Sequence, residues 1–437
     1  MLNETHFFIE RNFFMSIETK TIQVSSEISR LKRVIVHRPD EGISRISPRR
    51  AEELLFDDIV HLPNMQEEHD IFTNVLKAFL GEENVLETRQ LLIEALDSDD
   101  VTKKDMIEKI IDYEELPTSY AHLLSDLSNE DLSDTLITGY LEREKHILFD
   151  PIPNFIFTRD IAVMVNDHIL ILKAAKMARF RENFLARFIF LAHPIFKECR
   201  DMGRIINLNR VDQFPPSKKG ENVSIEGGDC MMLNKDYLLI GCSERTNAYT
   251  IKLLSEVLFE KGIVKNVVQV NIPQDRAYMH IDTIFTHINH NHITAFKPIV
   301  IDGLSSNVEV FRSNGTSTYY PSVKDFIRAE INPKMKFILA GDGESPYQER
   351  EQWTDGCNLV ALKPGVALTY DRNPKTEEAF IDYGYKIYPA KKLLEDLKKG
   401  LVKVEDIENT IITLPSNELS RARGGSHCMT CPIERAV

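Results

Sequence analysis

Four apolar runs in this chain end in an arginine beside a turn: VIVHR (34–38), FIFTR (155–159), LLIGCSER (238–245) and VALTYDR (366–372). Short apolar runs bounded by turn signals read as buried strands. Their recurrence, at irregular intervals, is either chance, since arginine is common at strand ends, or one supersecondary unit used several times. Helical patterns stand between them, at 181–190, 251–261 (closed by Gly262), 376–383 (closed by Gly384) and 391–399 (closed by Gly400). Strands that alternate with helices in this way predict an α/β fold.

The N-terminal part reads in the same terms. Leu31 to Pro39 predicts a buried strand ending in a turn, and residues 1–30 before it an N-terminal extension, with Met15 an alternative start. Asn64-x-x-Glu67 has the form of a capping box, ahead of a helical face of Ile71, Phe72, Val75, Leu76, Phe79 and Leu80. Residues 88–147 differ in character. Leu92, Leu96, Met106, Ile110, Leu123, Leu127, Leu132, Leu136 and Tyr140 recur at helical spacing among charged residues, with Ser128-x-x-Asp131 as a cap. This stretch predicts an all-helical insertion without clustered chemistry, serving structure or assembly.

Bulk properties exclude several classes. A net charge of -14 disfavours nucleic acid and anionic membrane as partners. No transmembrane run is present. The first twenty residues lack a basic n-region, a continuous apolar stretch and a small-residue cleavage site, so no signal peptide is expected and the cytoplasm is the expected location. The six cysteines (199, 230, 242, 357, 428 and 431) show no disulfide framework.

The chemistry centres on Arg423-Gly424-Gly425-Ser426-His427-Cys428-Met429-Thr430-Cys431-Pro432. By itself a Gly-Gly-x-x-Cys stretch is most simply a turn with a buried structural thiol. Four further clusters change that balance: Phe157-Thr158-Arg159-Asp160, Glu226-Gly227-Gly228-Asp229, Glu244-Arg245-Thr246 and Met279-His280-Ile281-Asp282. A nucleophilic cysteine needs a base or cation and polar partners nearby. In an extended segment His280 and Asp282 would face one space, with Ile281 packed behind. Asp160, Glu226 and Asp282 would then face one thiol. So many acids suit a planar cation, because two carboxylates can hold a guanidinium fork. Arg179, Arg245 and Arg423 are either salt-bridged surface or partners for the carboxylate of an amino acid. Cys428-x-x-Cys431 is weak as a redox or zinc motif, and His287, His290 and His292 read as a polar loop, so no metal is expected.

Taken together, LLFDDI (54–59), PNFIFTRD (153–160), MARFRE (177–182), EGGD (226–229), ERT (244–246), MHIDTIF (279–285), EREQWTDGCN (349–358), YDRN (370–373) and RGGSHCMTCP (423–432) resemble the arginine deiminase family from about Leu31 onward. The resemblance implies an α/β pentein-type five-bladed propeller of ββαβ units. It implies one catalytic domain over 31–437, with 88–147 as a helical insertion. It assigns Cys428 as nucleophile, His280 as acid–base, Glu226 as its orienting partner, and Asp160 and Asp282 as the guanidinium grip. Asn154, Arg179 and Arg245 would contact the substrate carboxylate, and Arg423 would be the loop arginine near the thiol. The implied reaction converts L-arginine and water to L-citrulline and ammonia through a thiouronium on Cys428, with no cofactor. The expected partner is this small molecule alone, and the expected assembly a homo-oligomer. Ser426 and Ala422 stand where the family usually has glycine, which predicts a stiffer loop, and the loop THINHNHIT (286–294) departs from the family pattern. Other guanidines, an amidinotransferase or a non-catalytic arginine binder are the alternatives. Intact Cys428, His280, Glu226, Asp160 and Asp282 weigh against the last, and Arg179 and Arg245 weigh against agmatine.

Overall fold

The computed structural model describes residues 21–437 apart from Asp57 and Asp99. Residues 1–20, including Met15 and the stretch read for a signal peptide, and Asp57 of the LLFDDI motif lie outside the described residues.

One theme of strand pairing recurs five times among the described residues. An antiparallel hairpin is followed by a third strand that pairs in parallel with the hairpin's second strand. The sets are Ala162–Val165, His168–Ile171 and Ile205–Asn207; Cys230–Asn234, Tyr237–Cys242 and Asn266–Asn271; Phe285–Asn289, His292–Ala295 and Lys336–Leu339; and Val360–Lys363, Val366–Tyr370 and Thr410–Leu414. The fifth set joins the two ends of the described chain, with Cys431–Arg435 antiparallel to Leu31–Val36 and Val85–Glu87 parallel to it. A parallel pair needs a crossover, and helices Leu62–Leu80, Phe180–Ala192, Ala248–Glu260 and Pro374–Asp382 lie within such crossovers. The middles of the central strands are buried, as at Ile169, Leu170 and Ile171, because layers cover both faces.

The segment after Val85–Glu87 holds helices Thr88–Ser98, Asp100–Tyr113, Ser119–Ser125 and Asn129–Thr138. Leu92, Leu96, Leu132 and Leu136 share a core cluster with Leu185 and Ile189 of helix Phe180–Ala192. Ser128 caps its helix by accepting from the Asp131 amide. The segment is not helical to its end: Tyr140–Leu141 and His146–Ile147 form a two-stranded ribbon.

Four further expectations are corrected. The run FIFTR (155–159) is not a strand. Pro153–Ile156 and Thr158–Asp160 are short 3₁₀ turns, and the strand starts only at Ala162. The reason is a tertiary contact: the Arg159 amide donates to the Cys428 carbonyl, a bond to the Cys428 loop rather than to a strand ladder. Asn64 does not cap a helix. Helix Leu62–Leu80 begins before it, with Pro63 in the first turn, where a missing amide costs nothing. THINHNHIT is a hairpin, not a loop, because Thr286, Ile288, Ile293 and Thr294 carry strand patterning into the core. His280-Ile281-Asp282 is not extended throughout: Ile281–Thr283 form a 3₁₀ turn. The segment before Leu31 packs against the rest of the fold. Ile22, Val24 and Ile28 are buried, and Val24 bridges to Asn166.

Candidate active site

Every candidate residue except Asp282 lines one pocket: Asn154, Asp160, Arg179, Glu226, Arg245, His280, Arg423 and Cys428, with Leu55, Phe157 and Met279 among the apolar walls. Asp282 lies beside it, hydrogen-bonded to the thiol. The connecting turns between strands bring these residues together, which is how one scaffold gathers side chains from distant parts of the chain.

The nucleophile loop leaves little choice of sequence. A Cβ on Gly425 would stand 2.6 Å from Asn358 Oδ1. That same Oδ1 accepts the amides of His427 (3.0 Å) and Cys428 (3.2 Å), and Asn358 Nδ2 donates to Cys428 Sγ at 3.2 Å. Ser426 is buried and donates to the Leu368 carbonyl at 2.7 Å, a tie that the usual glycine could not make. Arg423 takes a left-handed conformation with φ +60°, strained for a residue with a Cβ, and its guanidinium lies over the Trp353 ring.

Cys428 Sγ donates to Asp282 Oδ2 at 3.4 Å, and His427 Nδ1 reaches the same oxygen at 2.8 Å. Asp282 Oδ1 is buried without a protein partner. Burial pushes the Cys428 thiol well above its usual range, and Asp282, Asp355 and Asp160 push the same way. The resting sulfur is therefore a thiol rather than a thiolate. Asp282 itself is held below its usual range: burial opposes this, but His427 outweighs it.

His280 Nε2 meets Glu226 Oε2 at 2.9 Å. Burial would lower the imidazole, yet Asp160, Glu226 and Asp229 raise it to about 10. Burial likewise pushes Glu226 up, and Arg179, His280 and Arg245 bring it below its usual range. His280 is thus an imidazolium paired with a carboxylate. A Cβ on Gly228 would lie 2.5 Å from His280 Nδ1, so the ring packs directly on the glycine of the EGGD turn.

Arg179 is buried and already paired. Its terminal nitrogen donates to Asp160 Oδ2 at 2.6 Å and Glu226 Oε2 at 3.2 Å, and its Nε donates to Glu182 Oε2 at 2.8 Å. Arg245 stands 3.7 Å from Glu226 Oε1. Asn154 donates to the Leu54 carbonyl at 2.7 Å. Asp160, Glu226 and His280 offer ligand-type atoms within 4.8 Å of one another, and the Arg179 guanidinium already bonds both carboxylates. His287, His290 and Cys431 form no such group among the described residues.

Sequence reasoning assigned no role to Asn358, Asp229, Glu182, His427 or Glu27. Asp229 is buried and accepts the Ile281 amide at 2.9 Å and the Ser243 hydroxyl at 2.6 Å, fixing the turn after His280. Asn358, Asp229, Glu182 and His427 all lie inside motifs already singled out, which is the signal that marks them. Glu27 lies in none.

A cysteine among acids that suit a planar cation, on this pairing scheme, defines a guanidine-modifying enzyme of the pentein type. The N-terminal domain of ArgZ, an arginine dihydrolase from Cyanobacteria, has the same fold, with a TM-score of 0.50 at 12% identity over 92% of this chain and 97% of that one. Arginine deiminases from Limosilactobacillus reuteri (34% identity; 95% of this chain, 98% of the relative) and Borreliella afzelii (32%; 95% and 98%) match along almost the whole length. The family model described as arginine deiminase matches residues 52–435, and the chain belongs to the arginine deiminase family.

Proposed function

We propose that this protein hydrolyses free L-arginine to L-citrulline and ammonia, with the site residues in the roles that follow. The observation that carries the reading is the unspent buried oxygen of Asp282 beside the nucleophile. A buried carboxylate oxygen without a donor is costly unless a ligand supplies one, and a guanidinium supplies N–H groups in a plane.

The arriving substrate guanidinium engages Asp160 and Asp282. It displaces the Arg179 guanidinium from Asp160, and Arg179 and Arg245 turn to the α-carboxylate, with Asn154 beside them. Glu182 keeps its hold on Arg179 Nε. The positive charge now beside Cys428 offsets the acids that kept the thiol neutral, so the thiol releases its proton to solvent as the substrate binds and the thiolate forms, to be reprotonated after the final C–S bond breaks. It attacks the guanidinium carbon. His280, protonated at rest, has the proton that departing ammonia needs, and once neutral it takes a proton from the water that hydrolyses the thiouronium. Glu226 orients the imidazole, and Arg423 closes the loop near the thiol.

We also propose that the five hairpin-plus-strand sets close around a pseudo-fivefold axis as one catalytic domain from Leu31 onward, with 88–147 inserted, in a cytoplasmic homo-oligomer. The repeated pairing scheme supports the first part. Exposed Ile147 of the inserted segment, Leu191 of helix Phe180–Ala192 and Met202 further along are apolar surface that assembly would cover. No helix among the described residues is long and apolar enough to cross a membrane.

Incubation of pure protein with L-arginine tests the reaction. Citrulline and ammonia in equal amounts are expected. Ornithine with urea, or no turnover by folded protein, overturns the proposal.

A further inference from the structure

Behind the nucleophile lies a chain of buried charges that begins in the segment before the first strand. Glu27 Oε2 stands 3.3 Å from His427 Nε2, while His427 Nδ1 stands 2.8 Å from Asp282 Oδ2. Asp282 Oδ2 in turn accepts the Cys428 thiol. All four side chains are buried. Glu27 is fixed at its own end: its amide donates to the Met232 carbonyl, and its other oxygen lies 3.6 Å from an Arg159 nitrogen.

The chemistry of these contacts determines the state of the ring. An ionised carboxylate can only accept a hydrogen bond. Asp282 is held ionised by His427 and Glu27 by Arg159 and His427, in both cases against burial. With a carboxylate oxygen at each ring nitrogen, His427 can donate from both. Remove the Glu27 charge, and nothing on that side requires the second proton. The ring can then be neutral, and Asp282 loses the cation that fixes it. Arg159, Arg435, His287 and Cys230 face Glu27, His280 and Arg159 face Asp282, and Asp355, Asp160 and Tyr370 face Cys428, while His287 and His427 line one small cavity with Glu27.

We propose that Glu27 is a positioning residue for arginine hydrolysis: it holds His427 as a doubly donating imidazolium, which fixes Asp282 with Oδ2 toward the thiol and Oδ1 toward the substrate guanidinium. This rests on the reading of Asp282 as part of the guanidinium grip. Glu27 touches neither substrate nor the reacting sulfur. It acts through two intervening bonds, from a part of the chain that carries no catalytic motif.

The test compares wild type with Glu27→Gln and Glu27→Asp, assayed for citrulline across pH 5 to 9, with thermal unfolding measured on each. Wild-type turnover is read first, so that a failure of the arginine reading shows there and not in the variants. Glu27→Gln keeps the shape but not the charge. It is expected to lower kcat/KM by about 10- to 100-fold, the scale of a charge-assisted hydrogen bond. KM should rise more than kcat falls, and the acidic limb of the profile should move to higher pH. Glu27→Asp should recover part of the loss. A Glu27→Gln enzyme that folds and keeps both kcat/KM within about twofold and the wild-type profile overturns the proposal, as does a loss that Glu27→Asp does not relieve. A measurement on wild type stands independently of whether the variants fold. In spectra of protein with nitrogen-labelled histidine, assigned with His427→Gln, both ring nitrogens of His427 should be protonated at pH 7. A neutral ring overturns the proposal.

Discussion

Asp282 holds the Cys428 thiol with one carboxylate oxygen, at 3.4 Å, and keeps the other buried without a protein partner. The same side chain is therefore bound to the nucleophile and open to a cation. Thiol and carboxylate must change state together, since a guanidinium that takes the free oxygen also brings the charge that makes a thiolate tolerable there.

The thiol pair separates chemistry from packing. Cys428→Ser should abolish citrulline formation, because a hydroxyl without a strong base is a poor nucleophile. Cys431 is buried on a strand with its sulfur 3.2 Å from the Ala162 carbonyl. Cys431→Ser should keep most turnover at a stability cost of about 1 kcal/mol. Steady-state assay and thermal unfolding of both variants decide the matter, and the opposite pattern would move the nucleophile to Cys431.

Gly228 is predicted to be as sensitive as the catalytic groups. An alanine Cβ there would meet His280 Nδ1 at 2.5 Å. Gly228→Ala should shift the ring away from Glu226, lower kcat at least tenfold, and cost about 1–3 kcal/mol of stability through overpacking. Unchanged kcat in a folded variant would show that the ring has freedom the packing denies it.

Legibility followed sequence distance. Cys428, Glu226 and Asp160 stood out because each sits in a short cluster of unusual composition. Asn358 could be noticed in its motif but not understood, because its role is to clamp amides of a loop that strand pairing alone brings near. Glu27 gave no signal, since its partner His427 is remote in the chain and a single glutamate in what reads as an N-terminal extension is ordinary. The two local errors at the site had one cause. FIFTR and His280-Ile281-Asp282 have strand-like side chains, yet tertiary bonds from the Arg159 amide to the Cys428 carbonyl and from the Ile281 amide to the Asp229 carboxylate turn the backbone there.

Stability should fall in alkali because of His280. Its folded pKa, about 10, lies above the ordinary 6.5. The stability it adds is complete below pH 6.5 and drains away as pH climbs toward 10. Glu226, depressed in the fold, works in the other direction: its contribution is present above its ordinary 4.5 and is lost as acid protonates it. Melting temperatures from pH 6 to 10 should decline for wild type and decline less steeply for Glu226→Gln. Equal slopes would remove this pair as the source.

Substrate choice should follow the carboxylate. Agmatine shares the guanidinium of arginine but offers nothing to Arg179 and Arg245. A lost charge-assisted bond is worth roughly 1.5–3 kcal/mol, so kcat/KM should favour arginine by at least about a hundredfold. Arg245→Ala should narrow the gap by harming arginine turnover while sparing agmatine. Equal losses on both substrates would mean that Arg245 acts through Glu226 alone.

The pairing of Cys431–Arg435 with Leu31–Val36 joins the two ends of the described chain at a seam. Closing that seam joins segments with almost all the chain between them, which is the slowest kind of contact to form and carries the largest entropy of closure. The nucleophile loop runs straight into the closing strand. An opening confined to the seam would carry Cys428 away from Asp160, Glu226 and Asp282 while every other sheet stayed paired. Activity would then report on that one join long before the rest of the fold gave way.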